Sequence, residues 1–273
     1  MLKKIAEEMA KAGSIVILPH IAADGDAIGS SVALAIGLSG AGKEVSVLLE
    51  EKAPQMYNFL PGLEMARVYD ADDRKYDLAV ALDCGDPERL GSRRPVFEKA
   101  PVTVNIDHHP TNTGFAMLDH VDPSCAAVAE IIFELFRQMG IVPGKDAAIC
   151  LYTAIASDTG GFRYSNTTSA THIIASELIK TGIDVAEISR RIFDTVSPAK
   201  VRLLGEAINS LELYEDGRIA VMTVSNGAMR RSGASDEDTD GIINIARNIS
   251  GVEAAVMIRE MENGDIKVNL RSN

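Results

Sequence analysis

The 273 residues suffice for one large domain or two ordinary ones at ~150 residues each. Hydrophobic residues make up 46% and charged residues 24%, a soluble globular profile that excludes a disordered, collagen-like or disulfide-scaffold chain. With 27 Lys+Arg against 39 Asp+Glu the net charge is −12, so the chain is not built to grip long nucleic acid by phosphate neutralisation; a short anionic substrate is compatible if a metal or a local basic patch neutralises it.

The chain opens with an amphipathic helix, MLKKIAEEMAKAG, carrying Leu2, Ile5 and Met9 on one side. Glu7, Glu8 and the lack of a long apolar stretch argue against a signal peptide. Ser14–Leu18, Glu44–Leu49, Leu78–Leu82 and Val102–Ile106 are short apolar runs that read as strands. Ala27–Ala41 reads as a helix ended by Gly42, and Gly/Pro turns lie at 61–62, 85–87 and 91. Short buried strands separated by helices predict an α/β fold over residues 1–184, a mainly parallel sheet with helices on both faces.

A more helical stretch follows. Ala126–Met139 stops at Gly140, Asp146–Ala156 is almost wholly apolar, and Thr168–Lys180 ends at Thr181-Gly182. From Val185 to Leu213 a mixed-charge helical segment runs, with Pro198 starting a new helix; residues 185–210 are expected to be a linker. Residues 211–273 read as a smaller α+β domain. Its strands are Arg218–Val224, Ala254–Arg259 and Ile266–Leu270, its helix Asp240–Asn248, and Asn263-Gly264 signals a hairpin. No run approaches 18 apolar residues, so no membrane span is expected. Cys84, Cys125 and Cys150 are odd in number and form no C-x-x-C pair, which points to a reducing cytoplasm rather than a disulfide framework or zinc knuckle.

The residues that carry chemistry cluster behind the core segments. After the first strand comes His20, then Asp24 and Asp26; after the third, Asp83; after the fourth, Asp107-His108-His109; after the helix 146–156, Asp158. Loops at the carboxyl ends of parallel strands converge on one crevice. Taken singly, Asp24, Asp26 or Asp83 would be a cap or turn residue and His20 a loop histidine. His120 reads as a strand edge or turn, His172 as an ordinary helix residue, and Cys84 as a small packed side chain. Four clusters, each behind an apolar segment, point instead to a divalent-metal site. Carboxylates and imidazoles without thiolates suit Mn²⁺, Fe²⁺, Co²⁺ or Zn²⁺. Five aspartates and three histidines exceed one open site and suit two ions roughly 3.5–4 Å apart, as in phosphoryl transfer. Asp83 is the natural bridge, and a water held between the ions would be acidified to attack. Without metal the carboxylates would repel and raise one another's pKa values.

His20-x-x-x-Asp24-x-Asp26, the Asp83 cluster, Asp107-His108-His109 and Ser157-Asp158-Thr159-Gly160 occur in the order typical of the DHH phosphoesterase superfamily. Asp24–Ser30, Asn105–His109 and Asp158–Thr168 resemble its oligoribonuclease and 3′-phosphoadenosine-5′-phosphate phosphatase branch over nearly the whole chain. The resemblance implies a first ion held by His20, Asp24 and Asp83, and a second by Asp26, Asp83, His108 and Asp158, both Mn²⁺. It implies catalytic roles for Asp83, His108, His109 and Asp107, with His109 facing the substrate phosphate and Asp107 orienting the histidines. Arg163 and Arg271 become candidate phosphate contacts.

The resemblance further implies a DHHA1-like substrate-binding domain at 211–273 and a cytoplasmic homodimer. The substrates it implies are short RNAs cleaved to 5′-mononucleotides and 3′-phosphoadenosine-5′-phosphate converted to AMP. Alternatives are a phosphodiesterase of cyclic or linear dinucleotides, an inorganic pyrophosphatase, and a non-catalytic metal-stabilised binding protein. The pyrophosphatase ranks lower because it reads Asp-Thr-Asp where this chain has Asp24-Gly25-Asp26. Two departures stand out. Ala22-Ala23 replaces the family's frequent Asn-Pro, and the family's glycine-rich stretch after a segment like Asn269–Ser272 is not found before Asn273, so the C-terminal domain is expected to be partial.

Overall fold

The computed structural model describes residues 1–71, 74–261 and 263–272. Asn273, the last residue of the expected C-terminal domain, lies outside them. The chain divides into two compact units, 1–194 and 195–273. The boundary falls inside the segment 185–210 that the sequence reads as a linker.

The first unit runs α1 (Leu2–Lys11), β1 (Ser14–Pro19), α2 (Gly25–Gly40), β2 (Glu44–Leu49), β3 (Ala66–Val68), β4 (Leu78–Leu82), α3 (Arg94–Lys99), β5 (Val102–Asp107), β6 (Leu118–Val121), α4 (Val128–Met139), α5 (Lys145–Asp158), α6 (Ser169–Ile179) and α7 (Val185–Ser189), closed by a π-helical turn, Arg190–Asp194. The six strands form one wholly parallel sheet in the order β3-β2-β1-β4-β5-β6. The expected fold class is therefore found. The central strands read as continuous apolar runs because both faces are covered. Ile15, Ile17, Val80 and Val104 pack with α1, α2, α4 and α5 on one face. Val16, Leu18, Ala79 and Ala81 pack with Leu90, Val96 and Phe97 on the other.

The chain goes outward through β2 on one side of β1 and through β5 on the other side of β4. The β1/β4 junction is thus the topological switch point where such sheets bind ligands. The sequence reading lacked β3 and placed only a strand edge or turn at β6. Both are short edge strands with half-buried residues, so neither shows the apolar run that marks the centre.

The second unit comprises α8 (Pro198–Asn209), β7 (Glu212–Tyr214), β8 (Ile219–Val224), α9 (Asn226–Ser232), α10 (Ile242–Arg247), β9 (Ala254–Glu260) and β10 (Ile266–Ser272). Its sheet is mixed, in the order β10-β9-β8-β7 with only β8 and β9 parallel. Leu203 and Ala207 of α8 sit in its core with Met222, Ile243 and Met257, so this helix belongs to the second unit. Ser197 caps α8 by accepting the Lys200 amide, and Pro198 occupies the first turn, as expected of that pair. The helical segment ends earlier than the expected Leu213: Ser210 Oγ donates to the Thr223 carbonyl and accepts the Thr223 amide, turning the chain into β7.

The hairpin joins β9 to β10 antiparallel, with Gly264 at φ 89°.

Candidate metal centre

Three adjacent strands deliver the site. His20 follows β1, Asp83 follows β4, and Asp107 ends β5 with His108 and His109 directly behind it. Asp24 caps α2, accepting the amides of Asp26 and Ala27 at 3.1 Å each. Asp26 sits in the first turn of α2, and Asp158 is the last residue of α5.

These side chains converge in three groups whose donor atoms lie within 4.8 Å of one another: His20, Asp24 and Asp83; Asp26, His108 and Asp158; Asp83, His108 and His109. Asp83 joins two of them through different oxygens. Its Oδ2 is 3.5 Å from His20 Nε2, and its Oδ1 is 3.6 Å from His108 Nε2. His20 Nε2 is 3.8 Å from Asp24 Oδ1, and His108 Nε2 is 3.7 Å from Asp158 Oδ2. These separations are too long for hydrogen bonds. Donors sharing a cation at bonds of about 2.1 Å stand about 3.0–3.5 Å apart or more, so the spacing fits divalent ions.

The burial pattern makes the same demand. Asp83 is 3% exposed and its Oδ1 has no hydrogen-bond partner, a costly arrangement for a carboxylate unless a cation meets it. Its φ of 60° places a non-glycine residue in the left-handed region, where strained backbone collects at functional sites. Burial, then the carboxylates of Asp83, Asp158 and Asp24, push the Asp26 carboxyl well above its ordinary range. Asp158 is raised to about 6, chiefly by burial, with Asp24 and Asp83 adding to the shift against the opposing His108. Burial opposes the charged form of His20, but Asp24 and Asp83 outweigh it and push its pKa up to about 10. Each shift is what divalent charge among these groups would remove.

The surrounding bonds aim the donors. His108 Nδ1–H donates to the Cys125 carbonyl at 3.2 Å, leaving Nε2 as the ligating nitrogen. Asp107 accepts His109 Nδ1–H at 2.7 Å and Asn112 Nδ2 at 2.6 Å, so its carboxyl stays below the ordinary range although burial opposes this. His20 Nδ1 lies 2.6 Å from the Ile21 carbonyl and 2.9 Å from Arg89 Nη2. That nitrogen can serve only one of them. As a donor to Ile21 it leaves Nε2 free to ligate; as an acceptor from Arg89 it puts the proton on Nε2, toward Asp24 and Asp83.

All six candidate metal ligands are thus brought together, and His109 and Asp107 adjoin them. Arg163 lies on the loop after α5, its guanidinium 5.8 Å from the Phe193 ring centroid. Arg271 belongs to the second unit, exposed on β10. Cys84 is buried and packed, with burial pushing its thiol pKa far up; His172 stacks on Phe162 at 5.3 Å. The sequence reading lacked Arg89, Asn112 and the α4 amides that bind Asp26. Asn112, five residues after Asp107, and the Asp86-Pro87 start of the turn carrying Arg89 are the only local signals for them.

Residues 14–155 match the family described as "DHH family, N-terminal domain". The Thermus thermophilus protein named "Bifunctional oligoribonuclease and PAP phosphatase NrnA" is 32% identical, the alignment covering 98% of this chain and 80% of that one. The Bacillus subtilis protein of the same name is 28% identical over 95% of this chain and 81% of its own. The crystal structure of an exopolyphosphatase-related protein from Bacteroides fragilis superposes with a TM-score of 0.94 at 28% identity, covering all of this chain and 83% of that one. The chain belongs to the DHH family.

Proposed function

We propose that this DHH-family chain is a metal-dependent phosphoesterase that hydrolyses short oligoribonucleotides to 5′-mononucleotides and 3′-phosphoadenosine-5′-phosphate to AMP. The observation that carries the reading is Asp83. It is a buried carboxylate with one oxygen turned to His20 and the other, unpartnered, to His108. The names of the Thermus and Bacillus relatives support the substrate class.

His20, Asp24 and Asp83 would hold one divalent ion, and Asp26, Asp83, His108 and Asp158 the other, with Mn²⁺ as the proposed metal. Such a pair supplies positive charge for the phosphoryl oxygens and lowers the pKa of the attacking water. The chain's own residues set the geometry. Asp107 fixes the His109 ring through Nδ1, so Nε2 is left for the substrate, and His109 is 45% exposed, unlike the buried Asp83 beside it. The hydrogen bond to Asp107 raises the His109 pKa, and Asp83 adds to this while burial opposes it. A protonated His109 would donate to a phosphoryl oxygen.

Catalysis is assigned to the first unit and substrate binding to the second, where Arg271 is the proposed phosphate contact, with Arg163 a further one in the first. The three free thiols are in keeping with a cytoplasmic setting, and no helix among the described residues is long and apolar enough to cross a membrane. The proposed homodimer is tested by light scattering on a sizing column.

The test of function is a substrate panel with Mn²⁺: a 5′-labelled diribonucleotide, 3′-phosphoadenosine-5′-phosphate, pyrophosphate and a cyclic dinucleotide. Turnover of the first two is expected to exceed that of the last two. Preferential hydrolysis of pyrophosphate or of the cyclic dinucleotide would replace the reading, and no turnover of any would leave a binding protein.

A further inference from the structure

We propose that Asn166 is a positioning residue for the second of the two proposed ions, clasping together the two stretches of chain that aim its ligands Asp26, His108 and Asp158. The inference rests on the two-ion reading of the centre and adds to it a residue outside the ligand set.

The first stretch is 125–129, which leads into α4. The Cys125 carbonyl accepts His108 Nδ1–H at 3.2 Å, and the Val128 and Ala129 amides bind the Asp26 carboxylate at 2.6 and 3.1 Å. The second stretch is the end of α5, where Asp158 is the last residue. Asn166 lies 8 residues beyond Asp158 and 40 beyond Ala126.

The Asn166 side chain joins the two. Its Nδ2 donates to the Ala126 carbonyl and to the Asp158 carbonyl, at 3.1 Å each. A carboxamide NH2 carries two protons, one for each bond. Both partners are carbonyls, which accept and cannot donate, so the nitrogen and not the oxygen must face them. Asp158 closes α5, so its carbonyl has no donor within the helix. Ala126 stands between Cys125 and the N-cap Ala127, so holding it holds the residues on either side that meet His108 and Asp26.

The loop after α5 is built to bring Asn166 back. Gly160, Gly161 and Phe162 follow one another in the left-handed region, at φ 56°, 72° and 64°, and reverse the chain. The Thr159 carbonyl accepts the amides of Arg163 and Tyr164 at 2.9 and 3.0 Å, and Thr159 Oγ1 accepts that of Phe162 at 3.0 Å. Phe162 has a Cβ, so its conformation is strained and persists because these bonds impose it.

The ligands of the first ion alone stand elsewhere. His20 follows β1, and Asp24 caps α2. Removing the clasp therefore acts on one ion and spares the other, whereas a general loosening of the fold would weaken both.

The experiment is calorimetric titration of Mn²⁺ into the metal-stripped full chain, with Asn166→Ala placed in three backgrounds. Asn166 is exposed, so its truncation leaves the core intact. The unaltered chain is expected to take up two ions, and Asn166→Ala to weaken one of the two steps about tenfold or more, the usual effect of losing a group that orients ligands. In His20→Ala, which keeps the second site, adding Asn166→Ala is expected to weaken the remaining ion by the same factor. In Asp158→Ala, which keeps the first site, it is expected to change nothing. Asn166→Leu, which fills similar space without donors, is expected to match Asn166→Ala throughout. Two ions bound with unaltered affinities by Asn166→Ala, equal weakening of both ions, or recovery by Asn166→Leu would each overturn the clasp and leave the two-ion centre standing. Uptake of fewer than two ions by the unaltered chain would overturn the two-ion reading and this inference with it.

Discussion

Asp26 accepts the Val128 amide at 2.6 Å across 102 residues of sequence. It also accepts the Ala129 amide at 3.1 Å and Ser30 Oγ at 2.8 Å. The N-cap of α4 is Ala127, which has no side chain able to cap, so a carboxylate from α2 does that work. The same carboxylate is a proposed metal ligand. Binding of a cation and entry of the chain into α4 are therefore tied through one side chain.

Two Asp26 variants separate these roles. Asp26→Asn keeps one oxygen for the α4 amides and removes the charge that Asp83 and Asp158 oppose. Asp26→Ala removes both. In metal-free protein the Ala variant is expected to be less stable than the Asn variant by about 0.5–2 kcal/mol, the worth of a helix cap. Urea unfolding in EDTA measures the difference. Equal stability of the two would contradict the capping role, while both variants are expected to lose activity.

Asp83→Ala is expected to lose far more activity than Arg163→Ala. Arg163 stacks near Phe193, and at most contributes one charge-assisted hydrogen bond to substrate, about 1.5–3 kcal/mol. That is about 10- to 160-fold in rate. Removing Asp83 strips both proposed ion sites of a shared ligand. Steady-state kinetics on a diribonucleotide at saturating Mn²⁺, with metal content measured in parallel, checks the order. Near-normal turnover by Asp83→Ala at full metal occupancy would overturn the assigned roles.

Stability of the metal-free protein is expected to fall as pH rises. The Asp158 carboxyl is raised from 3.8 to about 6, so between those values the folded state holds a proton that the unfolded state has released. Stability from this group is full below pH 3.8 and is lost as pH passes through 6, by about 1–2 kcal/mol after solvent screening. His20, raised from 6.5 to about 10, continues the decline through that second window. Saturating Mn²⁺ is expected to reverse the slope near neutrality, because ligation requires deprotonated carboxylates and a neutral imidazole. Melting temperatures from pH 5 to 9, with EDTA and with Mn²⁺, test both signs.

Ala22 has a φ of 52° on the exposed loop between His20 and Asp24. An L-residue with a Cβ pays roughly 1–2 kcal/mol in that region, and asparagine bears it better than alanine. Ala22→Asn is expected to raise stability by about 1 kcal/mol with the metal ligands intact. Chemical denaturation reads this, and an unchanged or lowered midpoint would count against the conformation.

The sequence by itself determined the class of the fold and which acidic and histidine side chains gather behind its strands. Ser14–Leu18, Leu78–Leu82 and Val102–Ile106 are apolar on both faces, which only a covered parallel sheet satisfies. Once those strands are parallel, the residues behind them share one end of the sheet, so His20, Asp83 and His108 had to meet. The tertiary structure alone decided how. That Asp83 turns one oxygen to His20 and the other to His108 depends on its left-handed backbone and on three strands brought side by side. That Asp26 caps α4, and that Arg89 competes with Ile21 for His20 Nδ1, are contacts between segments far apart in the chain. Local pattern records burial and period, and neither reports which distant donor faces a given oxygen. The unit boundary shows the same limit: 185–209 reads as helical on both sides of the interruption at Ser197-Pro198, and only packing sends α7 to one core and α8 to the other.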